Sequence, residues 1–277
     1  MSRGVLYIAS TEEYLQEAEI SASFLKKSNP NLNCSIVTPH RTRFDFDHVV
    51  EMKRPDCNRS AKIRNLPNSP YDETLFLDTD TLVLESIESG FELLKKYAFG
   101  FCIDPTGSGP IEEVPQSFPE VNTGVLFYQN DKKFRDFCHE WLAEFVSKGK
   151  YERFRDQPFF RKILWDSGCK FTILRPEWNL MVDLPAIAHR NVKIAHTRTL
   201  RSIDEHRYVD ILNNIDTLKS SDNYRMFRPR VGNTIDCVYV RPSINSNSLE
   251  RLNFHLTHNG VIYTIKRVFD RFISSFR

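Results

Sequence analysis

The chain has 277 residues, of which 40% are apolar, 12% aromatic and 27% charged. That composition suits one large globular domain or two small ones and excludes disordered, fibrous and low-complexity proteins. A formal charge of +2, from 38 basic against 36 acidic side chains, argues against a strongly basic nucleic-acid binder, but the distribution is uneven. From Arg225 onward nine Lys or Arg face three Asp or Glu, a local net of +6, which leaves −4 on the first 224 residues.

An apolar run at residues 5–9 leads through Ser10-Thr11 into a segment opening Thr11-Glu12-Glu13, where a hydroxyl N-cap followed by acids predicts a strand, a short turn and a helix. The helix should run to about Lys27 and end at Asn29-Pro30. Residues 34–37 and 48–52 read as two further strands. Residues 74–77 are apolar on both faces, as in the middle of a covered parallel sheet. Residues 97–103 and 124–128 predict strands, with a turn-rich loop over 104–110 between them. Over 132–146, Phe134, Phe137, Cys138, Trp141, Leu142 and Phe145 recur at helical spacing and should face the core. Strands alternating with helices imply a doubly wound α/β fold.

No internal repeat is present, and a composition change near 200–225 divides residues 1–200 from 201–277. At the end, apolar residues 262, 265, 268, 269, 272, 273 and 276 follow helical spacing, with Lys266, Arg267 and Arg271 at other positions. Such a helix over 261–277 would lie on an anionic membrane or dock on its own domain. The six cysteines, Cys34, Cys57, Cys102, Cys138, Cys169 and Cys237, show no CxxC pair and read as reduced, buried or half-buried thiols. No apolar run approaches the ~20 residues that span a bilayer, and acids stand where a signal peptide would continue. The expected location is cytoplasmic, at most peripheral at a membrane.

The most informative segment is Leu75-Phe76-Leu77-Asp78-Thr79-Asp80-Thr81-Leu82-Val83, an apolar strand that stops at two acids and resumes. In extended chain, residues two apart point the same way, so Asp78 and Asp80 can converge beyond the strand's carboxyl end, where open α/β sheets bind ligands. Two carboxylates this close repel unless a cation joins them, and hard oxygen ligands suit Mg²⁺ or Mn²⁺. A bare DxD also fits a solvated turn.

This segment resembles the DxD signature of the GT-A nucleotide-sugar glycosyltransferases, and its surroundings resemble their family 8 branch, which includes glycogenin and bacterial lipopolysaccharide galactosyltransferases. Ile8-Ala9-Ser10-Thr11-Glu12-Glu13-Tyr14 is similar to the family's first strand and turn, and Arg59-Ser60-Ala61-Lys62 to the basic segment ahead of the DxD strand. Val121-Asn122-Thr123-Gly124-Val125-Leu126 resembles the "FNxGV" segment, Arg155-Asp156-Gln157-Pro158-Phe159 the "DQ" segment, and Val192-Lys193-Ile194-Ala195-His196 the late strand ending in a metal-binding histidine.

The resemblance covers about residues 4–200 and implies a Rossmann-like GT-A domain with a mixed, mainly parallel sheet, followed by a basic C-terminal extension. It further implies a hexosyltransferase-like enzyme moving sugar from a UDP-linked donor to a glycan or lipid-linked acceptor, with retention. Asp78, Asp80 and His196 would bind the ion; histidine among the ligands favours Mn²⁺ over Mg²⁺. Ala9, Ser10, Thr11 and Tyr14 would hold the base, with Tyr14 stacking on it. Arg59 and Lys62 would meet the phosphates or base, and Thr79 lies within the motif. Asp104, Asn122, Thr123, Asp156 and Gln157 would meet the donor sugar or acceptor, with Asp156 or Gln157 nearest the chemistry. Alternative readings are a surface role for Arg59 and Lys62 and a helix N-cap for Asp156.

The family's Gly and Lys-Pro-Trp clamp after the histidine is missing: the chain reads His196-Thr197-Arg198-Thr199-Leu200-Arg201, and Arg198 or Arg201 could supply the cation. Glu177-Trp178-Asn179 resembles the family's "FN" stretch, structural or acceptor-facing. A catalytically inactive nucleotide-sugar or glycan-binding module is the competing reading. A nucleotidyltransferase fits less well, because Ser10-Thr11-Glu12-Glu13 is no Gly-rich basic loop.

Overall fold

The apolar strands and amphipathic helices close into a sheet covered on both faces. A computed structural model describes residues 1–54, 59–107, 111, 113–147, 155–201, 205–220, 223–230, 234–240 and 248–274. Cys57, residues 108–110 of the turn-rich loop, the side chain of Arg201 and Phe276 lie outside the described residues.

In chain order come β1 (Arg3–Ile8), α1 (Glu12–Ser28), β2 (Asn33–Thr38), β3 (His48–Glu51), α2 (Arg59–Asn65), β4 (Glu73–Leu77), β5 (Thr81–Val83) and α3 (Glu88–Phe91). There follow β6 (Phe99–Ile103), β7 (Val121–Gln129), α4 (Lys132–Ser147), α5 (Gln157–Ser167), β8 (Phe171–Ile173), β9 (Leu180–Met181), β10 (Ala186–Ala188) and β11 (Ile194–His196). The chain ends with α6 (Glu205–Asn213), α7 (Ile215–Lys219), β12 (Tyr224–Pro229), β13 (Ile235–Val240) and α8 (Ser248–Ser274).

Seven strands form the central sheet in the order β3-β2-β1-β4-β7-β6-β8. The first four are parallel, β7 runs antiparallel to β4 and β6, and β8 is parallel to β6. The sheet is therefore mixed and mainly parallel, as expected. All five residues of β4 are buried, because successive side chains point to opposite faces that are both covered. Leu75, Leu77, Val125 and Phe127 pack toward α1 residues Leu15, Ala18, Ala22 and Leu25. Phe76, Leu126 and Tyr128 pack instead with Phe134, Phe137 and Trp141 of α4 and Phe160 of α5. Each such large side chain, fully buried, contributes about 2–3 kcal/mol. Thr11 Oγ1 caps α1 by accepting from the Tyr14 backbone N–H at 3.3 Å, and Glu12 and Glu13 complement the helix dipole.

Two small sheets extend this frame. The first, β5-β11-β9, follows the DxD turn; the second, β10-β12-β13, joins the chain beyond residue 200 to a strand before it. Ile211, Leu218, Phe227 and Ile235 share one apolar cluster with Leu82, Leu180 and Ala195. Cys34, Cys102 and Cys138 are buried and Cys169 and Cys237 half-buried, all free, with burial pushing the three buried thiols well up and Cys237 to about 11.

The final helix starts at Ser248, earlier than its periodicity suggests, and breaks at Gly260, whose φ of 77° demands glycine. Beyond the break its apolar side chains face outward: Ile262 is 87% exposed and Phe269 63%. This arm therefore does not bury its stripe against its own domain. Among the described residues no helix is long and apolar enough to cross a membrane.

Candidate functional site

β4 stops at Leu77 and hands the chain to the Asp78–Asp80 turn at its carboxyl end. Three anchors fix that turn. The Asp78 N–H donates to Gly124 O at 2.8 Å, which ties it to β7. Thr81 Oγ1 donates to Asp78 O at 2.8 Å and lies 3.3 Å from Ser21 Oγ, itself 2.8 Å from the Tyr7 hydroxyl. Thr79 Oγ1 donates to the buried Glu17 carboxylate at 2.7 Å. Helix α1 thus holds the turn from below through buried hydroxyls, an arrangement worth more than its separate bonds because unpaired buried partners are costly.

The antiparallel register of β5 with β11 places His196 opposite Thr81, and the Thr197 N–H donates to Asp80 O at 2.9 Å. His196 Nε2 consequently lies 3.1 Å from Asp80 Oδ1. One ligand atom each from Asp78, Asp80 and His196 falls within 4.8 Å of the others. Asp80 and His196 are buried; Asp78 keeps 27% side-chain exposure.

The imidazole is oriented from behind. His196 Nδ1 lies 2.9 Å from Asn179 Oδ1, which assigns its proton to Nδ1 and leaves Nε2 toward the carboxylates. Asn179 Nδ2 donates to Asn122 Oδ1 at 2.8 Å, and the same oxygen accepts the Gly124 N–H at 2.9 Å. Burial lowers the His196 pKa, but the facing Asp80 and then Asp78 carboxylates outweigh it and hold the pKa above the ordinary imidazole value. Gly124 forms the floor: a Cβ there would sit 2.5 Å from His196 Cε1 and 2.7 Å from Asp78 Oδ2. Two carboxylates, an imidazole and this cleared floor fit a divalent cation.

Beside this cluster, Lys62 of α2 is the central cation. Its Nζ donates to Asp78 Oδ1 and Thr123 Oγ1, both at 3.0 Å, and lies 3.7 Å from Asp156 Oδ2. Thr123 Oγ1 donates to Asp156 Oδ2 at 2.8 Å. Arg59, at the other end of the same helical turn, lies 3.9 Å from Asp156 Oδ1. Asp156 occupies the N-cap position of α5 but does not cap it; its carboxylate turns to Thr123 and Lys62, while its backbone carbonyl accepts Trp141 Nε1 at 3.0 Å. Gln157 opens α5 and is buried next to it.

The other sequence-derived residues spread around this centre. Asp104 follows β6, accepts from Thr106 and lies 3.6 Å from Arg155 Nη1. The Ala9 N–H donates to Val37 O at 2.9 Å, and Ser10 O lies 3.3 Å from His40 Nε2. Thr11 spends its hydroxyl on the α1 cap, and Tyr14 packs half-buried against the core. Sequence reasoning missed the orienting role of Asn179, the Glu17 anchor and Asp183, which accepts from Thr197 Oγ1 at 3.1 Å and from the Arg198 N–H. Only the "FN" likeness pointed toward Asn179.

The mixed seven-strand sheet is that of the GT-A glycosyltransferase fold, as its likeness to solved structures shows. No protein-family profile matches it, and no curated protein matches it in sequence. Among solved structures it is similar to the galactosyltransferase LgtC in complex with donor and acceptor sugar analogs, with a TM-score of 0.53 and 14% identity over 79% of this chain and 96% of that one. It is similar to the glycosyltransferase GlyE of Streptococcus pneumoniae TIGR4, with a TM-score of 0.51 and 17% identity over 66% of this chain. The chain spans about half the length of GlyE, 47%. Apo mouse xyloside xylosyltransferase 1 gives a TM-score of 0.51 at 15% identity, covering 73% of this chain and 100% of that one. At identities this low the structural likeness shows the shared fold alone.

Proposed function

We propose that the chain is a metal-dependent glycosyltransferase that moves a sugar from a nucleotide donor, UDP-linked, to a glycan or lipid-linked acceptor. The observation that carries this reading is the convergence of Asp78, Asp80 and His196 within 4.8 Å, with Lys62 alongside, at the carboxyl end of β4. Breaking a glycosidic phosphate bond leaves a diphosphate whose negative charge must be stabilised. A divalent ion, Mn²⁺ before Mg²⁺, supplies Lewis-acid stabilisation when held by these three residues.

The protein's own groups do the rest. Lys62 and Arg59 offer positive charge to the phosphates, and Asn179 keeps His196 Nε2 available as a ligand. Ala9, Ser10, Thr11 and Tyr14 line the nucleotide end in this reading. Asp104, Asn122, Thr123 and Thr79 surround the sugar end. Asp156 and Gln157 stand nearest the reacting carbon, in a retaining transfer. Trp141 and Lys62 hold Asp156 in place. Residues 1–200 carry the donor chemistry and 201–277 the acceptor side, where the exposed apolar and basic arm of α8 suits an anionic membrane surface.

The test is hydrolysis of a panel of UDP-sugars with and without Mn²⁺. Metal-dependent release of UDP from at least one donor is expected. Metal-dependent UDP binding with no turnover of any donor would identify an inactive sugar-nucleotide-binding module instead.

A further inference from the structure

The hairpin β12–β13 and the last helix frame a groove of about 1450 Å³, larger than the ~300–1,000 Å³ of ordinary small-molecule pockets. One wall is the hairpin, with Met226 opposite Val238 in register and Val240 beyond them. The other wall is α8, with Leu252 before the Gly260 break and Ile262 and Val268 after it. The two walls are fastened together: Asn259 Oδ1 accepts the Tyr239 N–H at 2.6 Å, and Asn259 Nδ2 donates to Tyr239 O at 2.9 Å. One side-chain amide thus satisfies both backbone groups of a strand residue and holds the helix against β13, so the groove is preformed.

Charge accompanies the apolar walls. Arg228 and Arg230 share a single acid, Asp236, at 3.7 and 2.9 Å, and Lys266 and Arg267 stand against Asp270. Positive charge therefore exceeds negative even with Arg251 and Arg271, which engage other partners, left out of the balance. Apolar walls with surplus positive charge match a hydrocarbon chain that ends in a phosphate. A second copy of the chain is a poorer occupant, because its exposed apolar arm carries Lys266, Arg267 and Arg271 against Asp270 and like charges would meet. We propose that this groove takes the single hydrocarbon chain of a lipid whose headgroup is a phosphate. None of Asp78, Asp80, His196 and Lys62 lines it, so the site goes beyond sugar transfer and does not depend on it.

The test is calorimetric titration of octyl, decyl and dodecyl phosphate, each below its critical micelle concentration, into the full chain. One-to-one binding is expected, with affinity rising about two- to fourfold per added CH₂ as the chain is buried. Inorganic phosphate should show no saturable binding, and uncharged decyl maltoside should bind about tenfold more weakly than decyl phosphate. The double variant Leu252→Gln, Ile262→Gln, at two exposed positions, should weaken decyl phosphate about tenfold and leave the unfolding transition in place. Lys266→Gln with Arg267→Gln should weaken decyl phosphate and leave decyl maltoside unchanged. Affinity independent of chain length, unchanged affinity in the first variant, or no binding at all would overturn the proposal. So would binding to phosphatidylglycerol vesicles with none to the monomeric alkyl phosphates, which would make the arm a membrane-surface helix. A stable dimer that dodecyl phosphate does not dissociate would make a second copy the occupant and overturn it as well. Failure to bind UDP–Mn²⁺ would overturn the transferase function and leave this site standing.

Discussion

His196 Nε2 approaches Asp80 Oδ1 to 3.1 Å only because β11 pairs antiparallel with β5, the strand that leaves the DxD turn. The Asp-Asp-His triad is thus a product of strand register, and a one-residue slip would carry the imidazole to the opposite face. Asn179 then sets which ring nitrogen faces the carboxylates.

Asn179→Ala removes that orienting acceptor while leaving the three ligands in place. Mn²⁺ affinity, followed by electron paramagnetic resonance of the free ion, should fall about 10–100-fold. Unchanged affinity would show that the ring is held by other contacts.

Gly124→Ala inserts a methyl where His196 and Asp78 leave no room. The variant should lose about 1–3 kcal/mol of stability in denaturant unfolding and lose donor hydrolysis, since the two ligands must part to admit it. Full activity would show that the floor is not in contact with the working site.

Thr81→Val breaks the hydroxyl chain from Tyr7 through Ser21 to the Asp78 carbonyl. A cost of about 1–3 kcal/mol is expected, from orphaned buried polar groups, together with weaker metal binding. Tyr7→Phe, at the far end of the chain, should cost about 1 kcal/mol and leave metal affinity nearly intact. Equal effects on affinity from both would contradict the assigned direction of support.

Glu177 ties the segment before β11 in place: its Oε1 accepts the N–H groups of His189 at 2.7 Å and Arg190 at 2.9 Å. Burial pushes its pKa up, but those backbone donors prevail and hold it below the ordinary 4.5. A carboxyl with a lower pKa folded than unfolded contributes its stability fully above the ordinary value and loses it as pH falls through the folded value. Wild-type stability should therefore drop below about pH 4.5. Glu177→Gln should be less stable at pH 7 by about 1–3 kcal/mol, and the difference should narrow in acid. A pH-independent difference would remove the carboxylate's charge from the explanation.

Much of this arrangement was legible in the chain. The both-sided apolar run before Asp78 announced a covered strand, and the aromatic spacing of α4 announced its buried face; each follows from local periodicity. The ordered likenesses around Asp78, Asn122, Asp156 and His196 gathered residues that do converge. Asn179 and Glu17 were hidden because their importance arises from pairing between distant segments. The Asp156 carboxylate looked like a cap because sequence shows its place before Pro158, not the Lys62 and Thr123 that draw it away. The outward stripe of α8 was also undecidable from periodicity, which marks an apolar face without saying what covers it.

The central claim, that Asp78, Asp80 and His196 hold a divalent ion that recruits a nucleotide donor, is tested most directly by calorimetric titration of UDP into wild-type protein and Asp80→Ala, with and without Mn²⁺. The account predicts Mn²⁺-dependent binding to the wild type and its loss, beyond about 100-fold, in the variant with a preserved unfolding transition. Binding of UDP by Asp80→Ala with wild-type affinity and metal dependence would contradict it.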